Sequence, residues 1–269
     1  ENICKGAPNG IFMDADSGLI YSPSHFTWMD TNYPAGTPRQ GYPVEIQALW
    51  HAALSLLAKT TKDPKWSTLA AKVKENFIKF YWCEERGFLS DCIHSKGEAP
   101  SLYKADDALR CNQLFAITLD VIDGDIAKKV LASCEELLIP GAIRSLADRP
   151  THYSLPVKND TDHTINDPHA PYWGHYEGDE DTRRKPAYHN GTAWSWPFPS
   201  YSEALFKLYG EKARLHARAI LNSSRVLFDS GCIGQIPEVL DGNAPHRSRG
   251  CDAQAWGISE LLRVWNLLE

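Results

Sequence analysis

From Val44 onward the apolar residues recur with a helical period, and this pattern constrains the fold more than any other feature of the chain. Leu49, Ala52, Ala53, Leu56 and Leu57 fall on one face at i, i+3, i+4 spacing, a face predicted to turn inward. A second helix is expected near residues 66–82, with Leu69, Val73, Phe77 and Phe80 inward. The same reading predicts helices over 105–119, 125–138, 193–209, 211–228 and 252–268. Strands do not alternate with these helices, which argues against a parallel α/β sheet. Ahead of them, Gly10-Ile11-Phe12-Met13 and Leu19-Ile20-Tyr21 flank the turn-rich Asp14-Ala15-Asp16-Ser17-Gly18, which predicts one hairpin.

Residues 141–190 carry no helical period. The stretch holds Pro150, Pro156, Pro168, Pro171 and Pro186, and its aromatics Tyr153, Tyr172, Trp173, Tyr176 and Tyr188 argue against disorder. Long loops of this kind usually serve a function, so it reads as an ordered loop folded over a site.

Charge and composition narrow the partner. A net charge of -6 argues against nucleic acid, which requires a basic face. No run of about 18 apolar residues is present, so no membrane-spanning segment is predicted. Nine Trp and eleven Tyr suit a carbohydrate cleft, because rings stack on the apolar faces of sugars, although most such rings serve cores. Seven Cys, an odd number without a CxxC pair, read as free thiols in a reducing compartment, and a cytoplasmic location is expected. His163, His169, His175 and His189 share a region with Asp167, Asp179 and Glu180 but show no metal-ligand spacing, so neither metal nor cofactor is expected.

Three segments combine carboxylates or polar groups with Trp, Pro and Gly just before a predicted helix. They are Thr27-Trp28-Met29-Asp30 with Arg39, Gln40 and Glu45 following, Tyr188 to Pro197, and Pro237-Glu238-Val239-Leu240-Asp241-Gly242 with Arg247 and Arg249 beyond it. Sites are often built on loops at helix starts. Taken singly, Asp30 reads as a turn or cap residue, Glu45 as a first-turn helix charge and Glu238 as a surface carboxylate.

Five motifs in one order change that weighting: TWMD, TPRQGYPVEIQALW, LRCNQLFAITL, YHNGTAWSWP and PEVLDGNAPHRSRGCDAQAWGISELLRVW. Together they resemble the amylo-α-1,6-glucosidase family, the C-terminal catalytic module of glycogen-debranching enzymes. Cys111 and Asn190 stand where family members commonly carry Pro and Gln. The resemblance implies an all-α (α/α)6 toroid and an inverting glucosidase acting on the α-1,6 branch stubs of an α-glucan such as glycogen limit dextrin. It implies Asp30 as the acid and Glu238 as the base.

Such chemistry needs two carboxyl groups. One protonates the leaving oxygen, and the other deprotonates a water on the opposite face of the sugar, about 6.5–9.5 Å away. Trp28 and Met29 would supply apolar surroundings for Asp30, and Arg247 or Arg249 would keep Glu238 ionised by charge. Trp28, Trp194 and Trp196 would be sugar platforms. Arg39, Gln40, Asn112, Gln113, His189 and Asn190 would bond hydroxyls, with Glu45 paired to Arg39. Alternatives are a glucoamylase-like or trehalase-like enzyme on the same toroid, or a non-catalytic glucan-binding fragment. Twelve helices need on the order of 350–400 residues. Residues 1–269 are therefore expected to be one catalytic unit forming the C-terminal part of the toroid, with the N-terminal helices missing or supplied by a second chain.

Overall fold

A computed structural model describes residues 1–269. Its helices are α1 (Asn2–Lys5), α2 (Val44–Thr61), α3 (Pro64–Tyr81), α4 (Leu114–Thr118), α5 (Gly124–Cys134), α6 (Lys185–Tyr188), α7 (Pro199–Tyr209), α8 (Arg214–Asn222) and α9 (Ala255–Leu267).

The α2–α3 hairpin turns tightly for local reasons. Lys62 adopts a left-handed conformation (φ 59°) and returns its N–H to Ala58 O. Asp63 then caps α3, its carboxylate accepting from Lys65 N at 3.0 Å, with Pro64 at the first helical position. α3 buries Trp66, Ala70, Val73, Phe77 and Tyr81, a regular stripe that matches the predicted face around Val73 and Phe77. α7 is buried nearly all round over its first two turns and packs on α4, α5, α8 and α9. α2 packs on α3 and α4, and α4 and α5 pack on α7, which joins α8 and α9 to the same assembly. A continuous apolar core runs along it, from Leu19 to Leu268.

Several expectations need correction. The face of α2 that turns inward is Val44, Gln47, Ala48, His51 and Leu54, whereas Leu49, Leu56 and Leu57 are 53%, 65% and 36% exposed. α2 is apolar on two faces, and the periodicity selected the one that nothing in this chain covers. The helix predicted over 105–119 begins only at a 3-10 turn, Cys111–Gln113, leading into α4. The one predicted over 193–209 begins at Pro199, because Ala193–Trp194 is a strand.

The hairpin forms as expected, Phe12–Met13 pairing with Ile20–Tyr21. Its turn is tied by the Asp14 carboxylate, which accepts from both Ser17 N and Ser17 Oγ. A five-stranded antiparallel sheet was not foreseen. In order it joins Ser248–Arg249, Val239–Leu240, Ala193–Trp194, Ala142–Arg144 and Leu138–Ile139. These strands are two or three residues long, too short to carry a visible period, yet they set the site. Val239 lies opposite both Trp194 and Arg249. No helix is long and apolar enough to cross a membrane.

Candidate active site

The central strand pairing fixes Glu238. Its N–H donates to Cys251 O at 2.9 Å, and its carbonyl accepts from Ser195 N at 3.2 Å. The side chain is 5% exposed. Its Oε2 accepts the Cys251 N–H at 2.9 Å, and its Oε1 accepts the Tyr188 hydroxyl. Arg249 is not a partner: its guanidinium binds Asp241 and Glu177 instead, and Arg247 is exposed. Two neutral donors hold Glu238 where a neighbouring cation was expected.

Tyr188, which binds Glu238, lines the same cleft as Asp30. A cleft of about 350 Å³ is lined by Asp30, Thr31, Asn32, Tyr176, Glu180, Arg184, Lys185 and Tyr188. Asp30 is exposed within it. Trp28 and Met29 do not wrap it. Met29 is fully buried, with Asn112 Nδ2 3.6 Å from its sulfur, and Trp28 turns the other way to donate from Nε1 to Asn112 Oδ1 at 2.7 Å.

Trp28 instead opens an aromatic cluster. It meets Trp194 and Trp196 edge-on, each at 5.1 Å between ring centroids, and His189 at 5.5 Å. Trp196 stacks on Trp256 at 4.9 Å. Trp28 and Trp196 are half-buried and keep accessible surface. Trp194 is 1% exposed and presents no face to a sugar; it packs against Tyr188 and donates to the Tyr188 carbonyl at 2.8 Å.

The remaining polar residues singled out in the sequence lie mostly in a buried network. Arg39 binds Glu45 through two bonds of 2.5 and 2.7 Å, the pairing expected from sequence, and binds Asp91 at 2.6 and 3.0 Å. Burial alone would lower the Arg39 pKa, but Asp91 and Glu45 outweigh it and hold the guanidinium well above its ordinary value. Asn112 gives its amide to Asp91 at 2.8 Å. Gln113 accepts from Leu89 N and donates to Arg110 O. Arg110 binds the carbonyl of His189 and Asn190 Oδ1. Gln40, half-buried, donates to Tyr21 Oη at 2.9 Å. His189 is fully buried, its Nδ1 sharing a hydrogen bond with Thr31 Oγ1 at 2.7 Å. Burial, and then the charges of Arg110 and Arg39, hold its pKa well below the ordinary value, so the ring is neutral.

The polar residues therefore separate from the acid. Arg39 and Asn190 line a second cavity of about 310 Å³ with Asp91, His94, Asp106 and Tyr153. Asp30 and Tyr188 line the first. Sequence reading did not assign Tyr188 or Tyr176 to the site, although both stood out as aromatics in the long loop. The signal for Tyr188 was its place directly before His189 at the head of the YHNGTAWSWP segment.

Among solved structures the chain is similar to a GH63 mannosylglycerate hydrolase from Thermus thermophilus. With Tris and D-glycerate bound, the identity is 14% and the TM-score 0.50, over 84% of this chain and 45% of that one. With Tris alone the identity is 16% at the same TM-score and coverage. It is also similar to the neutral trehalase Nth1 from Saccharomyces cerevisiae, at 14% identity and TM-score 0.49 over 84% of this chain and 38% of that one. The chain thus spans less than half the length of the solved structures it matches. The hydrolase likeness bears on the fold alone, and with the mostly helical architecture it agrees with an (α/α)6 toroid. The sequence matches the family described as Amylo-alpha-1,6-glucosidase over residues 1–169 and 162–263, nearly its whole length. With both carboxylate segments inside that match, the chain belongs to the amylo-alpha-1,6-glucosidase family of glycoside hydrolases.

Proposed function

We propose that this chain carries the catalytic end of an inverting glucosidase that releases glucose from α-1,6 branch stubs of glycogen or a related α-glucan. The observation that carries the reading is the link through Tyr188: the cleft that exposes Asp30 is lined by the one tyrosine whose hydroxyl binds Glu238. Asp30, open to solvent at the cleft, would donate its proton to the glycosidic oxygen. Glu238 would take a proton from the attacking water. Each Glu238 oxygen accepts one hydrogen bond from the protein and keeps a lone pair for that water.

Trp28 and Trp196 would offer ring surface to the sugar. Arg39, Glu45, Asn112, Gln113, His189, Asn190 and Trp194 would act mainly by fixing the loops that carry Trp28, Asp30 and Tyr188. Further helices would cover the exposed face of α2, whether from the same polypeptide or from a second chain. The seven unpaired cysteines support a reducing compartment such as the cytoplasm.

The test is glucose release from a limit dextrin trimmed by phosphorylase and transferase, using this chain and any longer natural polypeptide that carries it. Asp30→Asn and Glu238→Gln are each expected to lose at least about 100-fold in kcat. Near-normal turnover in either variant would mean that the wrong carboxylate has been named. A preference for maltose-type over isomaltose-type substrates would favour a glucoamylase-like enzyme. Glucan affinity without turnover, unchanged by Asp30→Asn, would favour a binding fragment.

A further inference from the structure

We propose that Tyr188 is a positioning residue: its hydroxyl holds Glu238 in the orientation from which the carboxylate meets the attacking water. The proposal rests on the functional reading above, because it gives Glu238 its task. Several contacts prepare Tyr188 for that task. Its ring stacks on Tyr176, with centroids 5.1 Å apart and planes 29° apart, and meets Trp194 at 4.7 Å. Its carbonyl accepts from Trp194 Nε1 at 2.8 Å and from Thr192 Oγ1. Ring and backbone are thus both fixed, and the hydroxyl has one direction left to point.

That direction is Glu238 Oε1. The opposite oxygen is tied to a backbone N–H, so the two bonds together determine the rotation of the carboxylate plane. Without the phenol, one bond on one oxygen remains and the plane can turn about it. Burial, and then the bond to Glu238, push the Tyr188 pKa upward, so the phenol stays protonated and donates throughout the working range. A tyrosine present only for packing would need its ring and not its hydroxyl. Tyr188→Phe separates the two.

In Tyr188→Phe, kcat is expected to fall about 10-fold with KM within about twofold, because the loss arises in the chemical step. An unchanged kcat would overturn the proposal, as would a raised KM at unchanged kcat, which would put the phenol on the substrate.

A second measurement leaves Tyr188 in place and needs no turnover. The ring-carbon NMR signal of labelled Tyr188 is compared between the unmutated chain and Glu238→Gln. A shifted Tyr188 signal supports the contact, and an unchanged one overturns it even if Tyr188→Phe fails to fold. If Glu238→Gln keeps full glucose release while the Tyr188 signal shifts, the contact stands and it is the functional reading that falls.

Discussion

Gly250 leaves the space that the Glu238 carboxylate occupies: a Cβ at Gly250 would fall 2.3 Å from Glu238 Oε2. The backbone there sits at φ 67°, where side chains other than glycine's are strained. Gly250→Ala should therefore displace the carboxylate or part the strand pair between Val239 and Arg249. The expected result is a kcat loss of about 10- to 100-fold and a stability cost of about 1 kcal/mol or more, followed by glucose release and urea unfolding. Full activity in this variant would show that the carboxylate can move without consequence.

Arg39 is the hinge of the buried charge network, 3% exposed and bound to the carboxylates of Glu45 and Asp91. Removing it takes from the buried Glu45 and Asp91 carboxylates the cation they share, leaving Asp91 with Arg110 at 3.5 Å and the Asn112 amide. Arg39→Met is predicted to cost about 3–5 kcal/mol in urea unfolding, on the scale of breaking one side of a buried pair. Arg39→Lys should recover only part of this, since an ammonium cannot bind both carboxylates in forked geometry. A loss below about 1 kcal/mol for Arg39→Met would mean that the network is hydrated.

The longer helices and the family were legible in the sequence because they rest on long signals. α3 repeats its apolar stripe over four turns, and Asp30 and Glu238 stand in extended motifs. What places Glu238 was not legible. The strands Val239–Leu240 and Ser248–Arg249 are two residues each, and their pairing with Ala193–Trp194 joins segments far apart in the chain. Arg247 or Arg249 was expected to serve Glu238 by its charge, whereas register across the strand pair brings the Cys251 N–H to Glu238 and the Arg249 guanidinium binds Asp241. Periodicity likewise picked the stripe of α2 that carries Leu49 and Leu56 as the inward one, whereas this chain covers the other apolar face, around Ala48 and Leu54.

That uncovered face makes a prediction about association. Leu49 and Leu56 lie two turns apart on α2 and are more than half exposed. Exposed apolar stripes of this kind promote self-association. Leu49→Lys combined with Leu56→Lys should shift sedimentation toward monomer and leave unfolding stability within about 1 kcal/mol. Leu54→Ala, on the covered face of the same helix, should cost about 2–5 kcal/mol. If the double variant is as destabilised as Leu54→Ala, the stripe is packed inside the folded chain rather than open.

His189 gives a pH dependence whose sign follows from burial. Above about pH 6.5 the imidazole is neutral in both the folded and the unfolded chain and adds no slope. Below that the unfolded chain takes up a proton that the folded chain refuses, because burial, Arg110 and Arg39 disfavour the imidazolium. Stability should therefore fall with falling pH, by at most about 1.4 kcal/mol per pH unit from this one group. His25 and His51 are also held below their ordinary values, burial being the main cause in each, so they act in the same direction. His189→Gln is expected to flatten the slope without removing it, apart from a constant offset for the altered bond to Thr31. Urea unfolding at about pH 7.5 and about pH 5.5 measures this, with the gap between chain and variant narrowing as the pH falls. Parallel stabilities at the two pH values would mean that folded His189 accepts its proton in place.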